Sequence, residues 1–294
     1  MSSPDSQISA PQVALIGFGE AGESFAGAGD WHGRCTGWDV LEHRRARMGE
    51  AGVIPAATAA EALAQAHCVI SLVTADAALD AARSYAAHLR PGALWLDMNS
   101  VAPATKQVAA AAVLAAGARY ADVAVMAPVG RALDVPLLVS GPDAQEACGL
   151  LAALGFSSVR AVGERVGQAS AIKLCRSIMV KGLEALTAEM VLAAAHAGVL
   201  DEVLASLDAS ETQMRWAERA DYNLDRMLVH GRRRSAEMDE AGAMIRALGI
   251  DPMMTGQTAG WQRALGDLEL SPPPGGLSAK VDAIRTSPDF KGES

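Results

Sequence analysis

A short apolar run, Val13-Ala14-Leu15-Ile16, meets Gly17-Phe18-Gly19-Glu20-Ala21-Gly22 at once, and this juncture constrains the fold more than any other stretch. The six residues complete a G-x-G-x-x-G pattern, and Glu23-Ser24-Phe25-Ala26 beyond them reads as a helix start. In such a strand–turn–helix unit the first glycine permits the tight turn and the second lets a pyrophosphate approach the backbone. The third packs helix against strand. The helix N-terminus then faces the anion with unpaired N–H groups. Three glycines can equally serve a bare turn. Here, however, the motif follows a strand, opens a helix and has an acid downstream. That acid is Asp39, which ends the run Cys35-Thr36-Gly37-Trp38. It lies roughly 20 residues on, where a carboxylate accepts hydrogen bonds from a ribose 2′-hydroxyl. Gly17, Phe18, Gly19, Glu20, Ala21, Gly22 and Asp39 are the expected dinucleotide contacts. A carboxylate repels a 2′-phosphate, which favours NAD over NADP. Arg44 and Arg45 follow soon after and either reach a phosphate instead or form a solvated helix face.

The strand–helix alternation continues. Cys68-Val69-Ile70-Ser71-Leu72-Val73 and Ala93-Leu94-Trp95-Leu96-Asp97 read as strands, with alanine-rich helical stretches over residues 56–66, 77–89 and 105–116. This is the rhythm of a parallel sheet with helices on both faces, a doubly wound α/β domain of the Rossmann type.

After Val162-Gly163 the rhythm stops. Residues 168–197 contain no proline and one internal glycine, Gly182, which predicts a helix of roughly 45 Å. Further helical stretches cover 200–209, 211–219, 223–229 and 234–248, and Ser271-Pro272-Pro273-Pro274-Gly275-Gly276 is a breaker. The expected organisation is an α/β domain over 1–165, an all-α domain over 166–270 joined by the long helix, and a polar, loosely held tail over 271–294. On the long helix, Ser170, Lys173, Ser177, Lys181 and Glu184 fall within about 80° of one another. The stripe reads either as a solvated face carrying a Lys181–Glu184 pair or as a functional edge built around Lys173.

Composition narrows the function classes. The chain has 294 residues, a net charge of −9 and only 4% aromatics, so its core rests on Ala, Leu, Val, Ile and Met. An acidic chain is a poor partner for nucleic acid or an anionic membrane. The four cysteines lie far apart and the six histidines lack metal-ligand spacing, so neither a disulfide framework nor a metal site is expected. Residues 1–11 lack a signal-peptide pattern and no apolar run has membrane-spanning length. A cytoplasmic location follows as the simplest expectation. Cys175 is expected to be a small core residue, His196 and His230 have no evident partner in the sequence, and Trp216 and Trp261 are expected to be packing anchors or to line the substrate cleft.

Four places resemble the β-hydroxyacid dehydrogenase family, which includes 3-hydroxyisobutyrate and 6-phosphogluconate dehydrogenases. They are Val13 to Gly22 with Asp39, Cys68 to Thr74, Asp97-Met98-Asn99-Ser100-Val101-Ala102-Pro103, and Gly167-Gln168-Ala169-Ser170-Ala171-Ile172-Lys173. The resemblance implies that Val73, Thr74 and Asn99 flank the nicotinamide and that Ser100 meets substrate. It also makes Lys173 the general acid–base. A lysine accepts a hydroxyl proton only when neutral, and its ordinary pKa is about 10.4. Working near neutral pH therefore means destabilising the ammonium by roughly 4 kcal/mol, which an apolar cleft and a nicotinamide cation both favour. The resemblance further implies a homodimer.

Departures from the family pattern are informative. Ser177 stands where the family has Asn, with Arg176 beside it as a further substrate candidate. The family's Ser-Gly-Gly substrate loop corresponds to Met126-Ala127-Pro128, which loses a backbone anion cradle because proline has no N–H. Met126 then becomes a candidate lining residue. Arg232, Arg233 and Arg234 lie near a family substrate-binding lysine and offer paired hydrogen bonds to a carboxylate, or else form a solvated basic helix end. The expected activity is NAD-dependent oxidation of a small hydroxy acid or related alcohol. The alternatives are an imine reductase-like NADPH-dependent enzyme and a non-catalytic dinucleotide-binding protein.

Overall fold

The computed structural model describes residues 12–210 and 214–288. Its contacts divide the chain into two compact units, Met1–Ile178 and Met179–Ser294.

The first unit is built on one eight-stranded sheet. Its strands are β1 (Val13–Ile16), β2 (Cys35–Trp38), β3 (Ile54–Pro55), β4 (Cys68–Ser71), β5 (Leu94–Asp97), β6 (Arg119–Val125), β7 (Leu137–Ser140) and β8 (Val159–Gly163). Spatial order is β3-β2-β1-β4-β5-β6-β7-β8, parallel throughout except for the antiparallel β6–β7 pair. Strand order reverses at β1, which pairs with both β2 and β4, so the ligand crevice of a doubly wound sheet falls at the C-terminal ends of these strands.

Period-two alternation explains the two cores. Val13 and Leu15 point into a cluster with Phe25, Ile70, Leu96, Val123, Val139 and Leu151. Ala14 and Ile16 point the other way, into a cluster with Leu63, Val69, Trp95, Ala109, Val113 and Tyr120. Both faces are therefore buried, as a parallel sheet requires. The expected β1, β2, β4 and β5 are present. Strands β3 and β6 are not evident in the pattern: β3 is a two-residue edge containing Pro55, and β6 carries Asp122 in the middle of a fully buried stretch.

In the second unit, the expected stretches 211–219, 223–229 and 234–248 are one helix over its described part, Trp216–Ala247, while residues 211–213 lie outside the described residues. Gly231 does not interrupt this helix. A Cβ there would sit 2.2 Å from the Gln262 carbonyl oxygen and 2.8 Å from Gly266 Cα. The glycine thus marks a close backbone approach between Trp216–Ala247 and Met253–Gly266. The segment expected to be a loose polar tail contains the helix Leu277–Thr286. Ile284 of that helix is buried with Leu228 and Leu265, and Lys280 pairs with Asp221 and Asp225. The spacing of Leu277, Lys280 and Ile284 places one side of the short helix against its neighbour, which ties it down.

Candidate dinucleotide and proton-transfer site

The turn after β1 is forced by its own backbone. Gly17 has φ +90°, and a Cβ there would lie 2.4 Å from the Leu72 carbonyl oxygen, so only glycine fits where the two loops touch. Gly22 packs against the turn itself, 2.7 Å from the Gly17 carbonyl oxygen by the same measure. Asp39 holds the turn from the β2 side. Its Oδ2 accepts from the Phe18 N–H at 2.7 Å and its Oδ1 from the Leu41 N–H at 2.8 Å. Arg44 bridges this region, with a guanidinium nitrogen 3.9 Å from Asp39 Oδ2 and 2.9 Å from where a Gly19 Cβ would be. Arg47 pairs with Glu23 and so balances one acid of the first helical turn.

A cavity of about 480 Å³ opens over this turn, lined by Gly17, Gly19, Glu20, Ala21, Asp39, Arg44, Val73, Thr74 and Tyr85 among others. The expected dinucleotide contacts therefore divide. Phe18 and Gly22 support the turn from beneath, because the Phe18 ring is buried in the core and its N–H is committed to Asp39. The other five line the cavity, as do Val73 and Thr74. Burial and the Asp39 carboxylate push the Tyr85 hydroxyl above its ordinary range, so it stays protonated. The Thr74 hydroxyl, where the family pattern has proline, hydrogen-bonds Asp76 and helps hold that carboxyl low. A bare glycine turn at a helix N-terminus and an anchored carboxylate are features that suit a nicotinamide dinucleotide.

A second cavity of about 280 Å³ shares Ala21, Leu72 and Val73 with the first and adds Met98, Asn99, Ser100, Val125, Ala127, Pro128, Val129 and Lys173. Lys173 is half-buried, and its Nζ donates to Ser100 Oγ at 2.6 Å. Asn99 braces the loops: its Oδ1 accepts from the Val73 N–H at 2.8 Å, and its Nδ2 donates to Ser71 Oγ at 3.0 Å and Asp97 Oδ1 at 2.8 Å. The structure thus brings Asn99, Ser100 and Lys173 together.

Of the other expected substrate residues, Met126, Arg176 and Ser177 do not line this cavity. Strand alternation turns Met126 away from its cavity-lining neighbours Val125 and Ala127 and packs it against Ala124, Leu138 and Ala169. Arg176 is exposed and Ser177 half-buried on the helix Gln168–His196, and neither lines the cavity. Arg233 and Arg234 belong to the second unit, where Arg234 Nε donates to Gln262 Oε1 at 3.3 Å. Their neighbour Arg232 is engaged by Asp267 and Glu269.

Sequence reasoning missed what lies under the second cavity. Lys106, with no exposed surface, donates to the Asp97 carbonyl at 2.6 Å and Asp97 Oδ1 at 2.7 Å, and sits 3.3 Å from Asp122 Oδ1. The signal was available: Lys106, Ala109, Ala110 and Val113 form the buried stripe of Pro103–Ala115, so the one lysine of that helix stands at a core position.

Comparison with known proteins agrees with this geometry. Residues 12–157 match the NAD binding domain of 6-phosphogluconate dehydrogenase, and residues 194–265 match a domain of unknown function, DUF1932. A protein of Sinorhizobium meliloti 1021 is 37% identical, with 95% of each chain covered and a TM-score of 0.61. Protein MTH1747, described as structurally similar to 3-hydroxyacid dehydrogenases, is 30% identical over 87% of this chain and 96% of its own, at a TM-score of 0.58. An imine reductase from Myxococcus stipitatus in complex with NADP+ shares the fold at 18% identity, covering 92% of this chain and 99% of its own with a TM-score of 0.67. The turn, the anchored acid and these matches together establish that the chain belongs to the β-hydroxyacid dehydrogenase-like family.

Proposed function

We propose that this protein is an NAD-dependent dehydrogenase of a small hydroxy acid or related alcohol, with Lys173 as the proton-transfer group. One observation carries the reading: the Lys173 ammonium, bonded to Ser100, opens on a cavity that shares its wall with the dinucleotide turn. When bound, the nicotinamide supplies the hydride acceptor or donor. In the oxidative direction the neutral Lys173 Nζ takes the hydroxyl proton, and in the reductive direction its ammonium returns it. The Ser100 hydroxyl both donates and accepts, so it can hold the substrate oxygen within reach of Nζ. Met98, Val125, Ala127, Pro128 and Val129 line one side of the cavity with apolar surface.

NAD is the favoured cofactor because both Asp39 oxygens are fixed by backbone N–H groups and cannot swing away from a 2′-phosphate. NADH should bind more tightly than NADPH by fluorescence titration, and a preference for NADPH would assign Arg44 to the phosphate instead. Arg233 and Arg234 are proposed to anchor a carboxylate, and homodimerisation is proposed from the apolar side chains exposed along Gln168–His196, including Leu183, Leu186 and Leu192. A monomer by light scattering would remove the latter.

The test is NADH formation across a panel of hydroxy acids and polyols, with cyclic imines scored in reverse. Lys173→Ala should lower kcat by about 100-fold or more while leaving NADH affinity intact. Turnover near wild type would overturn the proton-transfer role. Turnover of cyclic imines alone would favour the reductase alternative. Within the same panel, Arg233→Ala and Arg234→Ala should raise KM, and unchanged values would remove the anchor.

A further inference from the structure

We infer that Lys106 is a positioning residue that couples the cofactor-side loops to the helix carrying Lys173. The inference rests on the reading of Lys173 given above.

Two arms meet at the Lys106 ammonium, which donates to the Asp97 carbonyl and Asp97 Oδ1 and forms an ion pair with Asp122 Oδ1 at 3.3 Å. Along the first arm, Asp97 Oδ1 accepts from the Asn99 N–H at 3.0 Å and from Asn99 Nδ2, and Asn99 in turn receives the Val73 N–H. Asn99, Ser100 and Val73 all line the smaller cavity. Along the second arm, Asp122 caps the start of Gln168–His196. It accepts from the Gly167 N–H at 3.1 Å, the Ser170 N–H at 3.0 Å and Ser170 Oγ at 2.6 Å. Ser140 Oγ donates to Asp122 at 3.1 Å and accepts from the Ala169 N–H at 3.0 Å, adding a second tie to the same turn. Lys173 stands less than one turn beyond Ser170 and closes the circuit onto Ser100. Tyr120 seals the base, donating to Asp97 Oδ2 at 2.6 Å, with burial and the Asp97 carboxylate keeping its hydroxyl protonated.

A scaffold needs none of this. A buried ammonium between two carboxylates is expensive, and apolar replacements of similar volume are often as stable. What the charges add is direction: each donor and acceptor fixes one loop or one helix turn that borders the cavity. Lys106 has no exposed surface and does not line the cavity, so its effect on the site is geometric.

The experiment uses the full chain and does not depend on turnover. The chain has five lysines, so reductive methylation with 13C-formaldehyde yields few dimethyl-lysine NMR signals. The Lys173 signal is assigned by its loss in Lys173→Arg. Lys106→Met leaves two carboxylates facing each other, so it is paired with Lys106→Met/Asp122→Asn, which removes the excess charge but not the missing bridge. The double variant should regain Tm relative to the single one. Relative to Asp122→Asn alone, its Lys173 signal should nevertheless shift or broaden, and its NADH dissociation constant should rise by about fivefold or more. Ser170→Ala, which trims only the second arm, should move the Lys173 signal with NADH affinity held within about twofold. A double variant whose Lys173 signal and NADH affinity match those of Asp122→Asn would overturn the inference. If the double variant does not fold, a Ser170→Ala protein with an unmoved Lys173 signal would overturn it equally. Neither readout requires Lys173 to be the acid–base group, so a failed Lys173→Ala kinetic test would sink the function while leaving this coupling to stand or fall separately.

Discussion

The two units bury an aromatic-poor chain in different ways. The first covers both faces of its sheet, and Trp31, Trp95, Tyr120 and Phe25 are fully enclosed. The second has a small core of Leu228, Leu265 and Ile284, while Leu204, Leu207, Trp216, Met253 and Trp261 stand exposed. Charges follow the same division. Lys106, Asp97 and Asp122 are at most 1% exposed. In the second unit, Arg232 with Asp267 and Glu269, and Arg263 with Asp239, are ion pairs in which every member is at least half exposed. Lys280, buried against Asp221 and Asp225, is the exception in the helical unit. The contrast teaches that buried charges are linked into one network beneath the cavity that holds Lys173, whereas the helical unit sets most of its described ion pairs at the surface.

The strongest way to break this contrast is Asp122→Ala. It strips Lys106 of one carboxylate and leaves the Gly167 and Ser170 N–H groups without their acceptor. Breaking a buried pair from one side typically costs about 3–5 kcal/mol. Urea unfolding followed by far-UV circular dichroism should register a loss in that range. A loss below about 1 kcal/mol would mean the network is solvated and the units differ less than their burial indicates.

How much of this was legible in the sequence depends on whether a signal was local. The glycine turn was readable because the motif, its strand and Asp39 are fixed by short spacing. The long helix Gln168–His196 was readable because nothing in it breaks periodicity. Strand β6 was not, since Asp122 sits in it for the sake of partners 45 and 48 residues away. Lys106 was passed over because a lysine on an alanine-rich helix reads as solvated until its stripe partners are counted. Met126 was misplaced for a simpler reason. The family resemblance puts it on a substrate loop, whereas the preceding residues form a strand whose alternation sends it to the opposite face. The gap between the expected stretches 223–229 and 234–248 contains Gly231, and only its close approach to Gln262 and Gly266 explains a glycine inside a continuous helix.

Glu189 sharpens the comparison, because it is the nearest the second unit comes to the first unit's design. Its carboxylate accepts the Met254 and Thr255 N–H groups at 2.8 Å each and the Thr255 hydroxyl at 2.5 Å, capping Met253–Gly266. Burial pushes its pKa up, but the hydrogen bonds from Thr255 and the adjacent backbone outweigh burial and hold it below the ordinary range. A carboxyl whose folded pKa is depressed binds protons more readily in the unfolded chain. Its contribution is therefore complete above the unfolded value, about 4.3, and is lost as pH falls through the lower folded value. Glu189→Ala should cost about 2 kcal/mol at neutral pH. The gap between variant and wild type should close in acid. A gap that persists unchanged well below pH 4 would assign the loss to packing rather than to the cap.

The smallest effect is expected at Arg263. Its guanidinium reaches Asp239 Oδ2 at 2.7 Å, a good geometry, yet the two side chains are 54% and 56% exposed. Water screens such a pair and holding two long side chains in one arrangement costs entropy, so exposed pairs are worth about 0–1 kcal/mol. Arg263→Ala should shift stability by less than about 0.5 kcal/mol, and adding 0.5 M salt should erase what remains because the Debye length falls to a few ångströms, about 4 Å. Measured beside Asp122→Ala, the pair sets the scale of the contrast: one exposed ion pair against a buried carboxylate that meets Lys106 and caps a helix, about an order of magnitude apart in worth. A loss above about 2 kcal/mol at Arg263 would mean that this face is covered in solution, since only desolvation raises an ion pair of this geometry to that value.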